Sequence, residues 1–370
     1  MFEHFKMFGE KIMDAEEKIL MERISKIKET DKSFGEKAKA FQQTLAMPPG
    51  SLGRLQEIAV QLSCISQKLF VPLQKRRIIV LCADNGIVQE GVSVTPQSVT
   101  LSQAENMTQG KTGMSSLARF FGDEVQVVDV GMIEQSKNPL VLDKHIRRGT
   151  ESFLRKEAFS KSEAIRAILL GMDLAKEAKT FGISLLGTGE MGIGNTSTSA
   201  AVLCALTEED AEKIVGRGSG LSDLNFAHKK SVIKEALSFH RLQKNSVLEI
   251  MHTVGGLDIA AMCGVFLGAA EQSLPIVIDG FISVVAALCA YRLTPVVKDY
   301  IFASHESAEP GFKIACKEIG ITPYLNLQMR LGEGSGCPLA FQILLAAEAM
   351  MSGMASFSEA AIDSSYLKNL

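Results

Sequence analysis

Tryptophan is absent from this chain, tyrosine occurs only 4 times in 370 residues, and neither acidic nor basic residues are in large excess. Proteins that bind single-stranded nucleic acid combine aromatic side chains for base stacking with a positively charged groove. A formal net charge of -3 and an aromatic content of 6% supply neither feature. The sequence therefore argues against a nucleic-acid partner.

The cysteines show no metal-ligand spacing. The 7 cysteines are scattered through apolar stretches, and no two of them form a CxxC motif. This pattern predicts buried free thiols in a reducing compartment, and it does not indicate a disulfide framework.

The sequence also shows no pattern typical of a secretory signal or of a membrane span. Residues 1–6 are not followed by an apolar signal region, and the uncharged apolar stretch 281–291 is too short to cross a bilayer. We therefore expect a cytoplasmic protein without a membrane partner.

Several motifs that specify cofactor chemistry are absent. The sequence has no HExxH, EF-hand, P-loop or GxSxG motif, and Ser219 lies one place too late for the nucleophile in GRGSG. The apolar run 275–278 ends in one acid, Asp279, whereas a diphosphosugar substrate would call for paired acids to carry magnesium. We expect no metal and no cofactor.

One dinucleotide signal has to be weighed. Gly187, Gly189 and Gly192 form a GxGxxG after a predicted strand. The acids at 208–210 have the spacing of a ribose-binding acid but directly follow a predicted helix, with no strand between. An NAD-linked oxidoreductase therefore remains an alternative, but the segment around these glycines lacks the second strand that a dinucleotide site requires.

Short apolar runs alternate with helical segments from residue 77 onward, which predicts a parallel α/β sheet. Several strands end in small or polar clusters, and ligands bind beyond the carboxyl ends of such strands. The predicted strands are 78–83, 125–130, 183–186, 276–278, 300–303 and 324–329, and the predicted helices include 162–179, 196–206, 210–216 and 339–351.

The first 60 residues differ in composition from the rest. Residues 8–46 are charged, with apolar residues at helical spacing, and predict one or two exposed helices. These helices could pack on a partner subunit or form a solvated arm. A further helix is predicted over 51–60, with Ser51 as its cap.

Three glycine-rich segments carry the candidate chemistry. The segment LGEGSG at 331–336 holds one carboxylate, Glu333, before an apolar helix opened by Pro338. The segment 187–196 leads into a helix capped by Asn195 or Thr196, whose N-terminal N–H groups suit an anion. The segment 216–223 adds a cation and hydroxyls. Together they predict a site for a small phosphorylated ligand, although a glycine-rich turn with a solvated Glu333 is the simpler alternative.

Six motifs in order resemble one family. They are MPPGSLGRL at 47–55, ADNG at 83–86, GEMGIGNT at 189–196, GRGSG at 216–220, SHESAEPG at 304–311 and LGEGSG at 331–336. This set closely resembles nicotinate-nucleotide–dimethylbenzimidazole phosphoribosyltransferases, from about residue 20 to the C-terminus. Residues 1–17 look like an extension beyond the usual start.

The resemblance implies a fold, a reaction and an assembly. The implied fold is a doubly wound, mostly parallel, Rossmann-like α/β sheet (61–336) with a small helical domain from residues 1–60 and 337–370. The implied reaction transfers phosphoribose from nicotinate mononucleotide to 5,6-dimethylbenzimidazole, giving α-ribazole 5'-phosphate for the cobalamin nucleotide loop. Family members are homodimers whose active sites receive residues from the partner.

The resemblance also assigns candidate roles. Glu333 matches the catalytic base, and Glu190 is the candidate for contacts to the ribose or the transition state, or else a residue that orients its loop. Lys229 is a candidate for phosphate contacts, unless it is an ordinary surface lysine beside Lys230. The other predicted substrate-binding residues are Gly189, Gly192, Gly194, Asn195, Ser304, Ser307, Gly332, Gly334, Asp84 and Asp279, with Pro96, Gln97, Met191 and Leu331 for the base pocket. Asp84 and Asp279 could instead hold loops together.

The acceptor base stays open at this stage. The segment 92–102 is expected to line the base pocket, where relatives with other preferences should differ. Dimethylbenzimidazole, benzimidazole, adenine and a phenolic acceptor are all compatible with the sequence. A non-catalytic nucleotide sensor on the same scaffold is a further alternative, although such a protein could dispense with Glu333.

Overall fold

Six parallel strands organise the fold: β1 (Arg76–Ala83), β2 (Glu124–Gly131), β3 (Val141–Asp143), β4 (Leu185–Met191), β5 (Ile276–Ile278) and β6 (Ile301–Ala303). The computed structural model describes residues 15–218, 220–244, 246–363 and 365. The strands lie in the order β3-β2-β1-β4-β5-β6, and each neighbouring pair is parallel. The predicted doubly wound α/β fold is therefore confirmed.

The predicted run 324–329 is not a strand. Within the described residues the segment forms an isolated β-bridge between His305 and Leu325, and Met329 accepts a further bond from the backbone N–H of Ala308 (3.1 Å). Residues 326–328 are exposed, and Gln328 has a φ of 55°. The apolar side chain of Leu327 faces solvent instead of a sheet, so apolar content alone misled the prediction.

Strand β4 extends further than its sequence suggests. The sequence predicts an end at residue 186 and a loop from 187, yet Gly187 and Gly189 lie inside the strand. A Cβ atom on Gly189 would lie 2.3 Å from the carbonyl oxygen of Glu333. On Gly187 it would lie 2.8 Å from the Cβ atom of Cys337. Glycine is needed here because another part of the chain packs closely on the strand.

The short edge strand β3 was not predicted, because 3 residues with mixed exposure carry no periodic signal.

Helices connect the strands. In the described residues they are α1 (15–25), α2 (Lys32–Gln42), α3 (Arg54–Ser66), α4 (Ser98–Thr108), α5 (Gly113–Phe121), α6 (Lys161–Thr180), α7 (Asn195–Thr207), α8 (Ala211–Ile214), α9 (Asp223–His240), α10 (Val247–Val254), α11 (Leu257–Glu271), α12 (Phe281–Leu293), α13 (Gly311–Ile319) and α14 (Cys337–Gly353).

Two predicted helix caps are wrong. Helix α7 is capped by Gly194, with a φ of 96°, and not by Asn195 or Thr196. Helix α3 is capped by Gly53, with a φ of 47°, and not by Ser51. In both places the residue before the helix has a positive φ, which glycine adopts without strain.

Segments from the two ends of the described chain lie together. The backbone N–H of Ala46 donates to the carbonyl of Ala355 (2.9 Å), and that of Phe357 donates to Thr44 (2.9 Å). Helix α14 contacts α3 but also packs on β4 and β5. The division into domains at residues 60 and 336 stays a prediction, and residues 1–14 lie outside the described range.

Helices pack on the sheet in two groups. Helix α11 contacts β1, β2 and β4 and crosses α6, where glycines allow close approach; a Cβ atom on Gly171 would lie 1.9 Å from the carbonyl oxygen of Ala261. Helices α4 and α5 contact β2, and α14 contacts β4 and β5. Strand order reverses between β1 and β4, and a ligand crevice is expected at their carboxyl ends. None of the helices in the described part of the chain combines the length and apolarity needed to cross a bilayer.

Candidate active site

A cavity of about 330 Å³ opens at the carboxyl ends of the sheet strands. Its position matches the crevice expected where the strand order reverses. The residues that line it come from segments 92–103, 190–196, 217–229, 279–283, 305–309 and 330–333.

Most of the residues predicted for the site meet in this cavity. The predicted residues that line it are Glu190, Met191, Gly192, Gly194, Asn195, Lys229, Asp279, Ser307, Leu331, Gly332 and Glu333. The sequence separation between residue 190 and residue 333 shows that the fold, and not local sequence, brings them together.

Glu333 lies at the end of the loop that precedes α14. Its side chain is buried, with 5% of its surface exposed, and its φ is 64°, in the left-handed region that non-glycine residues seldom adopt. Its carboxylate accepts hydrogen bonds from Nε2 of Gln103 (3.3 Å) and from the backbone N–H of Met114 (3.4 Å). Both bonds are long, so the carboxylate keeps capacity to accept a proton from a bound base.

Glu190 lies on β4 and faces the same loop. One of its carboxylate oxygens accepts the backbone N–H of Glu333 (3.3 Å), and the other accepts the side-chain amide of Asn195. Glu190 is therefore a neighbour of the candidate base and of the start of α7. The position suits a contact with the ribose, and it also fits the alternative that Glu190 orients the loop.

Three buried carboxyl groups share this part of the site. Burial, followed by the negative charges of Asp258 and Asp279, raises the pKa of Glu190 to about 8. Burial likewise raises the pKa of Asp258 to about 7 and that of Asp279 to about 7. Carboxyl groups in these surroundings titrate near neutral pH, as is common at functional sites.

The raised pKa of Glu190 predicts a pH-dependent stability. Above the ordinary pKa of 4.5 and up to about 8, the folded protein holds more protons here than the unfolded chain. The free energy of unfolding therefore falls as pH rises, by about 1.4 kcal/mol per pH unit for a fully linked proton. Glu190→Gln removes this proton, so we expect the Tm of the variant to exceed that of the wild type by a margin that grows from pH 5.5 to pH 8.

Thermal unfolding of the two proteins at both pH values measures this margin. Glu177→Gln, on the exposed face of α6, is the control, and its Tm should differ from that of the wild type by the same amount at both pH values. A margin for Glu190→Gln that is the same at both pH values would show that Glu190 is ionised throughout.

The cavity also carries a buried positive charge, on Lys229. The Lys229 side chain on α9 has 1% of its surface exposed. Its Nζ donates to Oγ1 of Thr196 (2.8 Å) and to the carbonyl of Gly216 (3.3 Å). Burial lowers the pKa of Lys229 to about 8, while the negative charge of Glu309 acts in the opposite direction. Lys229 therefore lies beside the start of α7, where backbone N–H groups also favour an anion.

His305 is buried at the wall of the cavity. Its Nδ1 lies 3.0 Å from Oγ of Ser304 and 3.8 Å from the carboxylate of Asp279. Burial lowers the pKa of His305 to about 4, so the ring is neutral near pH 7. A neutral histidine can accept or donate one hydrogen bond without adding charge.

Six predicted site residues do not line the cavity. Gly189 and Gly334 instead allow the Glu333 loop to pack on β4. The Asp84 carboxylate accepts the backbone N–H of Ile133 (2.9 Å), and Oγ of Ser304 donates to the carbonyl of Asp279 (2.8 Å). Pro96 is exposed. The side-chain amide of Gln97 donates to the carbonyl of Asn85 (3.2 Å).

Several cavity residues were not predicted individually. Val92, Ser93, Thr95 and Val99 belong to the segment 92–102 that was expected near the base. Gln103 lies four residues after Val99 on α4, so helical spacing could have placed it on the same face. The others are Ile193, Thr196, Arg217, Gly218, Leu221, Gly280, Phe281, Ile282, Ser283, Glu309 and Arg330. Ser219 lies outside the described residues.

The dinucleotide alternative loses support from the fold. Gly187 and Gly189 lie within β4, so they do not form the turn on which a pyrophosphate would rest. Within residues 15–218, 220–244, 246–363 and 365, no three His, Cys, Asp or Glu side chains are grouped so as to hold a metal ion. The groups that reach the cavity are those of acid–base and anion-binding chemistry.

A family profile and individual relatives of this chain all point to the same family. A family profile described as Phosphoribosyltransferase matches residues 27–362. The chain is 45% identical over 352 residues to a Clostridium perfringens protein named nicotinate-nucleotide–dimethylbenzimidazole phosphoribosyltransferase, covering 95% of this chain and 98% of that protein. It is 44% identical to the Clostridium tetani protein of the same name, covering 95% and 98%.

The fold has a close counterpart among solved structures. The crystal structure of CobT from Thermus thermophilus superposes with a TM-score of 0.86 at 35% sequence identity. The match covers 90% of this chain and 99% of that one.

Proposed function

The chain belongs to the phosphoribosyltransferase family, and from this and the site geometry we infer that it transfers the phosphoribosyl group of nicotinate mononucleotide to 5,6-dimethylbenzimidazole or a related base. The products are nicotinate and α-ribazole 5'-phosphate, the nucleotide of the cobalamin lower ligand. One observation carries the proposal: the same cavity holds a buried carboxylate, Glu333, and a buried cation, Lys229.

The chemistry follows from these two groups. The unprotonated ring nitrogen of the base attacks C1' of the ribose, and the bond from C1' to the pyridinium nitrogen breaks. The leaving nicotinate takes the bonding electron pair, which neutralises its ring nitrogen. The other ring nitrogen of the base gives its proton to Glu333, so the new nucleotide leaves uncharged at the base.

Glu190 acts on the ribose side in this proposal. With its pKa raised to about 8, the Glu190 carboxyl is mostly protonated near neutral pH and can hydrogen-bond to the ribose as donor and as acceptor. Glu190 lines the cavity together with Asn195, which holds one of its oxygens. Because C1' is inverted, the entering base and the leaving nicotinate lie on opposite faces of the ribose.

Apolar side chains near Glu333 form the proposed base pocket. Val92, Val99, Met191 and Leu331 line the cavity, and Gln103 bonds directly to Glu333. Such walls accept a planar aromatic base and leave its ring nitrogens to polar groups. Methyl substituents on the base add apolar contact, so dimethylbenzimidazole is the acceptor that we propose.

The reaction is tested by incubating purified protein with nicotinate mononucleotide and dimethylbenzimidazole, without added metal, and separating the products by HPLC. We expect nicotinate release with equal formation of α-ribazole 5'-phosphate. A panel of benzimidazole, adenine and phenol then ranks the acceptors. Binding of the nucleotide without product from any acceptor would favour the nucleotide-sensor alternative.

We also propose that the enzyme works as a homodimer in the cytoplasm. Two large apolar side chains near the cavity, Leu327 and Leu331, are 55% and 56% exposed, which suits burial against a second copy. All cysteines are free, as expected in a reducing compartment. Light scattering at assay concentration measures the assembly, and a mass equal to one chain would contradict the dimer.

A further inference from the structure

We propose that Asp279 is a positioning residue, whose carboxylate fixes the loop that carries Glu333 and acts on the reaction through that loop. The inference rests on the proposed function and deepens it, because it assigns the positioning of the catalytic base to a residue in another loop, directly after β5. At the sequence level Asp279 is a candidate either to orient ligand or to hold loops together, and its hydrogen bonds in the structure fit the second role.

Both oxygens of Asp279 are already occupied by the loop. Oδ2 accepts the backbone N–H of Gly334 (3.0 Å), and Oδ1 accepts that of Gly336 (2.7 Å). Gly334 directly follows Glu333, and Gly336 directly precedes α14. The side chain of Asp279 is buried, with 2% of its surface exposed, so water does not compete for these bonds. Each oxygen of the Asp279 carboxylate therefore accepts one N–H group of the loop.

The loop needs such a restraint. Gly332, Glu333 and Gly334 have φ values of 81°, 64° and 93°, three successive residues in the left-handed region. Glu333 carries a steric penalty there that the two glycines avoid, and such strain persists where neighbouring structure holds it. The hydrogen bonds to the Glu333 side chain are long, and the bond from its backbone N–H to Glu190 is 3.3 Å. The two bonds from the loop to the Asp279 side chain are shorter than these three.

Asp279 is itself held firmly. It follows β5, its backbone N–H donates to Oγ of Ser283 (3.1 Å), and its carbonyl accepts from Oγ of Ser304 (2.8 Å). Its carboxylate also faces the N-terminus of α14, a 17-residue helix, which favours a negative charge. The strand, the helix and the loop thus meet at one carboxylate.

Asp279→Asn tests the proposal, because an amide has the same shape but turns an N–H donor toward one of the two loop N–H groups. We expect kcat to fall by about 100-fold or more through misplacement of Glu333. The Kd for nicotinate mononucleotide should stay within about 3-fold, since phosphate contacts lie elsewhere in the cavity. Amide hydrogen exchange over residues 331–337 should become at least about 10-fold faster, with residues 187–196 unchanged.

Asp129→Asn is the matched control. The Asp129 carboxylate on β2 is also buried; its Oδ1 accepts the backbone N–H groups of Gly131 (3.0 Å) and Met132 (2.8 Å), and its Oδ2 pairs with Arg148 (2.5 Å). The amide turns an N–H donor toward Arg148, so this variant disturbs another buried carboxylate without touching the Glu333 loop. We expect its kcat and its exchange over residues 331–337 to match the wild type.

The exchange measurement separates this inference from the proposed function, because it needs no turnover. Unchanged exchange over residues 331–337 in Asp279→Asn would overturn the inference, whatever the wild-type activity. Normal kcat with faster exchange would also overturn it, since the restraint would then be irrelevant to the reaction. If Asp279→Asn does not fold, Asp279→Ser, which keeps one acceptor oxygen, is judged by the same two readouts.

Discussion

Glu333→Gln is expected to lower kcat by about 100- to 10,000-fold, the range that a positioned general base contributes. The amide has the size of the carboxylate and can still occupy the space beside Gln103 and Met114. It cannot accept the proton that the base must lose as the bond to C1' forms. The loss therefore falls on the chemical step, and single-turnover measurements with saturating substrates report it directly.

Nucleotide binding should survive this change. The phosphate contacts that we propose lie around Lys229, and Glu333 approaches the acceptor base. We expect the Kd for nicotinate mononucleotide to stay within about 3-fold of the wild type, measured by calorimetry without acceptor. A weakened Kd with normal turnover of bound substrate would instead make Glu333 a binding residue. Glu177→Gln, exposed on α6, should change neither quantity.

The sheet was largely predictable because buried parallel strands read as short apolar runs. The predicted strand 276–278 coincides with β5, and those at 78–83 and 125–130 lie within β1 and β2. The same rule failed at 324–329, where apolar residues lie at the surface near the cavity. A local pattern reports which residues are apolar, and it does not report what they will pack against.

The glycines of β4 show a second limit. Their local context predicts a loop, but the structure places them in a strand against which the Glu333 loop packs. The residue that requires Gly189 is Glu333, 144 positions further along the chain. Propensity and spacing within one segment contain no information on such a contact.

The burial of Lys229 is a feature that helical periodicity in the sequence does indicate. Its burial follows from helical spacing, because Val232, Ile233 and Ala236 are also buried on α9. Residues at i, i+3, i+4 and i+7 share one helix face, whereas Lys230 is displaced from that face. The periodicity of α9 therefore distinguishes Lys229 from its neighbour, a choice that composition left open.

Lys229→Ala is expected to weaken binding of nicotinate mononucleotide by about 10- to 150-fold, the equivalent of about 1.5–3 kcal/mol for a charge-assisted hydrogen bond. In the structure the ammonium group donates to Thr196 and to the carbonyl of Gly216, which leaves one of its three donors for the phosphate. Because nucleotide binding precedes the chemical step, kcat at saturating nucleotide should change far less than the Kd.

Lys230→Ala is the matched control. Lys230 is adjacent in sequence and pairs with Glu212 (2.7 Å), and it does not line the cavity. The same charge is removed from the same helix, so a general electrostatic effect would appear in both variants. Weakened binding in Lys229→Ala alone would place the effect in the site.

The pH dependence of binding gives an independent test of Lys229. Its pKa is lowered to about 8 by burial, and the second pKa of a phosphate monoester is near 6. Both groups are ionised between these values, so wild-type affinity should be highest there and should fall as the pH rises above about 8, where the lysine loses its proton. Lys229→Ala lacks this group and should show no such fall. A decline of equal size in both proteins would assign the titration to another residue and would remove Lys229 from the proposed phosphate site.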